Sequence, residues 1–110
     1  MIVAFTLSMP TANSWNGKWS GEGRVYAIIK TFRTHKAITK VADLLRQRSF
    51  SYRWSDGWCA CVSVKEVDSA EAKQLRKKSV GFAGYDWMVD SILQYGKIYA
   101  SHEVPEGAAT

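Results

Sequence analysis

The chain has 110 residues, too few for two independently folding domains, and 46% of them are hydrophobic and 13% aromatic; this excludes a disordered segment and predicts one compact core. Fifteen lysines and arginines against ten aspartates and glutamates give a formal net charge of +5, which favours an anionic partner such as a nucleotide, nucleic acid or an acidic protein face. No run approaches the ~20 apolar residues of a membrane span, and residues 1–10 lack the basic start of a signal peptide, so the expectation is a cytoplasmic protein without a membrane partner.

In chain order, "IVAFTLSM" alternates loosely between apolar and small polar residues and predicts a strand ended by Pro10. Residues 13–24, "NSWNGKWSGEGR", hold two tryptophans, three glycines, a lysine and an arginine. A stretch so rich in glycine fixes an indole poorly, so something outside the core is expected to complete the burial of Trp15 and Trp19: a ligand, a subunit contact, or both. Residues 24–32 are again rich in β-formers and are expected to pair with the first strand across this long connection, and connections of that length are usually functional or mobile.

From Lys36 the period changes. Ile38, Val41, Ala42 and Leu45 fall on one helical stripe, with Lys36, Lys40, Asp43 and Arg46 outside it. "FSYRW" and "WCACVSVKE" flank Asp56-Gly57, a strong hairpin signal. Within this hairpin Trp54 and Trp58 are expected in the core. Cys59 and Cys61 point to one face, where residues along one strand rarely bridge, and are expected as buried or half-buried thiols in a reducing compartment. Asp68 or Ser69 starts a second helix through "AEAKQLRKKS", with Glu71 placed for a capping box and cations in the last turns. Gly81 stops that helix. Asp86 is expected to cap a third helix that ends at Gly96, "KIYAS" reads as a last strand, and residues 101–110 as a loose tail.

The fold expected is α+β: a mostly antiparallel sheet of about five strands with two or three helices on one face, built as a ferredoxin-like βαββαβ core plus an N-terminal strand. Residues 1–100 form its single domain.

Catalytic supply is thin. His35 and His102 are isolated, Asp86 and Asp90 form at most a weak carboxylate pair, and Cys59 has no basic neighbour in sequence to activate it as a nucleophile. No enzymatic activity, cofactor or metal is expected. Aromatics accompanied by cations suit a nucleotide instead, because bases stack on rings while phosphates take lysine, arginine and backbone amides. In "KKSVGFAGYDW", glycines let amides approach a phosphate ahead of a helix, although a plain turn between helices explains them equally well. The candidate ligand-binding residues are Trp15, Lys18, Trp19, Arg24, Arg53, Lys77, Lys78, Gly84, Tyr85 and Trp87.

"MIVAFTLSMP", "SWNGKWSGEGR" and "GFAGYDWMVDSI" together resemble small proteins encoded by bacteriophages. That resemblance implies a counter-defence role in the host cytoplasm, more loosely that of a sponge: a homo-oligomer that sequesters a small nucleotide immune signal, either a cyclic oligonucleotide or an ADP-ribose derivative. The alternatives are an anti-CRISPR-like protein that binds a host defence complex, and a basic nucleic-acid-binding regulator.

Overall fold

The computed structural model describes residues 1–8, 25–82 and 84–105. Among these residues four strands and three α-helices follow one another: β1 (Ile2–Ser8), β2 (Ala27–Thr31), α1 (His35–Gln47), β3 (Ser49–Arg53), β4 (Cys59–Val67), α2 (Ser69–Lys78) and α3 (Asp86–Tyr95). The strands form one antiparallel sheet in the order β2-β1-β4-β3.

The expected pairing of the first two strands holds, with Phe5 opposite Ile28 and Thr6 opposite Ala27. So does the β3–β4 hairpin, with Phe50 opposite Val62 and Tyr52 opposite Ala60. Its loop is one residue longer than Asp56-Gly57 alone. Trp54 N–H donates to the Trp58 carbonyl (2.8 Å), and Gly57 takes a φ of 96° that lets the chain close over three residues. Trp58 leaves the core at this turn and is 40% exposed, against expectation.

Side-chain alternation on β1 divides the interior into two layers. Val3, Phe5 and Leu7 join Val62, Val64 and Phe50 on one face, under Val41 and Leu44 of α1 and Met88, Val89 and Ile92 of α3. Ile2 and Ala4 point the other way, where Ile29, Val67 and the α2 residues Ala72 and Leu75 meet them. The helices therefore cover both faces of the sheet, not one. Across the gap between β4 and α2, Lys65 pairs with Glu71 at 2.6 Å. That ion pair also explains why the expected capping box is half built: Asp68 Oδ1 accepts from Glu71 N–H (2.8 Å), while the Glu71 carboxylate turns to the lysine.

Among the described residues the sheet stops at four strands. β2 and β3, joined by α1, are antiparallel edge strands, so the parallel crossover of a ferredoxin-like core is missing and that expectation is matched only in outline. The segment expected as a fifth strand, residues 97–101, pairs with no strand among the described residues. Two of its backbone groups are met by a side chain instead: Ser91 Oγ donates to the Lys97 carbonyl and accepts from Tyr99 N–H, both at 2.7 Å.

Candidate functional site: an aromatic groove on α3

α3 ends as expected at Gly96, left-handed with φ 73°, which returns the chain along the helix. Its start differs. Asp86 is the first helical residue and makes no cap, and the cap position falls to Tyr85, which makes no side-chain capping bond. The buried stripe of Met88, Val89 and Ile92 faces the sheet. Trp87, Asp90, Ser91, Gln94 and Tyr95, spaced three and four apart, form the adjoining stripe. This second stripe is one wall of an open groove of about 580 Å³, and Tyr99, Ala100, Ser101 and Val104 make the other.

The second wall is held by named bonds. Ile98 is buried in the core, and the Ser91 hydroxyl fixes the backbone on either side of it. Beyond it, a 3-10 turn at Ser101–Glu103 closes when Glu103 N–H donates to the Ala100 carbonyl (2.8 Å) and Glu103 Oε1 accepts from Ala100 N–H (2.9 Å). The same carboxylate oxygen accepts from Tyr52 Oη at 2.7 Å, tying the turn to β3. These bonds to Tyr52 and Ala100 hold the Glu103 carboxyl below the usual glutamate range, and the carboxylate in turn raises the Tyr52 phenol above the usual tyrosine value.

The rings at the site are arranged edge to face. Tyr52 meets Trp54 at 5.0 Å and Trp87 at 5.5 Å, Trp54 meets Tyr85 at 5.6 Å, and Tyr95 meets Tyr99 at 5.7 Å. Such pairs are favoured by the ring quadrupole. Trp87 is thus backed by Tyr52 while also lining the groove, so its indole is held in place before any ligand arrives. Asp90 is the only formally charged residue among the described groove lining, and Gln94 and Ser101 add neutral polar groups. The arrangement suits a flat, uncharged or cationic group with hydrogen-bond donors.

The structure brings together only part of the expected site. Trp87 lines the groove and Tyr85 stands behind it in the ring cluster. Gly84, with φ 89°, is in the turn just before Tyr85. Arg53 is exposed at the end of β3, and strand alternation sends its side chain to the sheet face opposite Tyr52. Lys77 and Lys78 are exposed in the last turn of α2, on the far side of the sheet from α3. There Ser79 Oγ donates to the Ala27 carbonyl (2.6 Å) and Val80 N–H donates to the Val25 carbonyl (3.0 Å), docking the helix end on β2. Trp15, Lys18, Trp19 and Arg24 lie outside the described residues.

Sequence reasoning missed Tyr95, Tyr99, Gln94 and Glu103 as parts of a site. The i, i+3, i+4, i+7 spacing from Trp87 was the available signal, but the stripe mixes rings with polar groups and shows no apolar period. Cys59 and Cys61 are free and half-buried, as expected. No group of three or more potential metal ligands occurs among the described residues, and no helix among them is long and apolar enough to cross a membrane. No protein-family model, curated protein or solved structure matches the chain.

Proposed function

We propose that the protein is a non-enzymatic binding protein of phage counter-defence type that sequesters a small nucleotide signal, with the α3 groove taking the nucleoside part. The observation that carries this reading is the Trp87 indole, braced by Tyr52 and open to a groove that also holds Asp90 and Gln94. A base stacked on such a ring gains about 1–3 kcal/mol. The Asp90 carboxylate is an acceptor for ribose hydroxyls or base amino groups, and Gln94 both donates and accepts. With no cation among the described lining residues, phosphates point out of the groove, so affinity should depend little on salt.

Calorimetry with cyclic di- and trinucleotides, cyclic ADP-ribose isomers and the matching nucleosides tests the reading. Heat for at least one nucleotide, quenching of Trp87 fluorescence and similar affinity for its nucleoside are expected. No heat from any compound rejects it. The same reading takes the protein as a homo-oligomer, supported by the exposed Trp58 and Val80 side chains, and a monomer mass by light scattering at micromolar concentration rejects that part. A second reading, a host-protein inhibitor, is supported by the charge of Asp90, since an acid among aromatic rings also suits an arginine or lysine side chain. Saturable binding of an arginine-rich peptide without any nucleotide binding would favour it.

A further inference from the structure

Arg48 is the only described residue other than glycine with a positive φ. Its φ of 67° and ψ of −36° lie in a region that side chains enter at a steric cost and glycine enters freely. The position is where α1 hands the chain to β3. Arg48 N–H donates to the Leu44 carbonyl (3.1 Å), and its own carbonyl accepts from Val64 N–H (2.7 Å). Glycine would make both bonds without the strain, so the backbone gives no reason for an arginine here. Its exposed side chain makes no hydrogen bond or ion pair among the described residues.

Arg48 is part of the lining of an open notch of about 470 Å³ at the end of β3, together with Leu45 and Val64 and the polar residues Ser49, Ser63, Lys65 and Glu66. Ser49 and Ser63 are directly opposed across β3 and β4, are exposed, and their hydroxyls bond to no described group. Lys65 lies two residues from Ser63 and so on the same face of β4. Its ammonium, though paired with Glu71, remains largely exposed.

We propose that this notch is an anion site for a phosphate or phosphodiester group. A guanidinium offers two parallel N–H bonds to phosphate oxygens, which an ammonium cannot do. The paired hydroxyls donate two more, and Lys65 adds charge from the side. Glu66, next along β4 and so on its other face, adds a negative charge at the rim of the notch and keeps the site weak. None of these residues lines the Trp87 groove, so the site stands whether or not a nucleoside binds there.

The test is a ¹⁵N NMR titration of the full chain with inorganic phosphate and then pyrophosphate at low salt. Saturable shifts are expected at the amides of Ser49, Ser63 and Lys65. Arg48→Gly should weaken binding at least about tenfold, the loss of one charged hydrogen-bonded contact, and should raise Tm by relieving strain. Glu66→Gln, away from the strained turn, should tighten binding. Absence of saturable shifts, unchanged binding in Arg48→Gly, a lowered Tm in that variant, or weaker binding in Glu66→Gln would each overturn the proposal.

Discussion

The phenol of Tyr52 on β3 donates to the carboxylate of Glu103, 51 positions later, at 2.7 Å. That bond, with the one from Ala100 N–H, fixes the outer wall of the groove, and it ties the wall to protonation. The carboxyl pKa of Glu103 is lower in the folded chain than in the unfolded one. Its contribution is therefore complete above the ordinary glutamate value and is lost as pH falls through the depressed folded value. For Tyr52 the sign is reversed: the raised phenol contributes fully below the ordinary tyrosine value and ceases to as pH rises through the folded one. Trp87 fluorescence followed from neutral to acid pH should report an acid transition ahead of global unfolding. Glu103→Gln should remove it. An identical acid profile in that variant would assign the transition to other groups.

Ser91 gives a sharper stability test. It is 5% exposed, and its hydroxyl serves the Lys97 carbonyl and the Tyr99 amide at once. Ser91→Ala leaves two backbone groups without that partner, and the cost expected is about 1–3 kcal/mol. Urea denaturation should show it as a lower midpoint with an unchanged slope. A variant as stable as the parent would mean that water replaces the hydroxyl.

Large aromatic side chains should differ widely in their importance. Phe5 is wholly buried between α1, α3 and the sheet, so Phe5→Ala should cost about 3–5 kcal/mol. Trp58, at 40% exposure on the hairpin, should cost about 1 kcal/mol or less on truncation to alanine. Paired thermal melts decide it, and equal losses would place Trp58 in the core after all.

Local signals proved readable where one residue type dictates one geometry. Gly57 and Gly96 take the positive φ their turns require, and Asp68 accepts from Glu71 N–H as an N-cap must. The side of the sheet taken by α2 was harder. Residues 2–5, "IVAF", are apolar on both strand faces, a pattern that marks a strand covered on both sides; read as loose alternation, it hides the second layer. Residues 97–101 have the β-branched and aromatic content of a strand, but the partner that replaced sheet pairing is a single serine on a helix, which no periodicity reveals. Only the fold brings Tyr52, Trp87 and Glu103 together, from three separate elements.

Asp90 offers the cleanest test of the groove. Its carboxylate is exposed on α3, away from the buried stripe, so Asp90→Ala should leave the fold and its Tm nearly unchanged. Trp87→Ala is less clean, because it also removes the ring contact with Tyr52 and should cost stability along with affinity. If a nucleoside lies in the groove with hydroxyl or amino donors on Asp90, losing this charged acceptor should cost about 1.5–3 kcal/mol of affinity, more than tenfold in Kd. Both the nucleoside and its nucleotide should lose this much. If phosphate charge dominated binding, removing a nearby negative group would instead strengthen nucleotide binding and spare the nucleoside. Calorimetry on the parent and the Asp90→Ala variant, at two salt concentrations, separates these outcomes by the sign of the change.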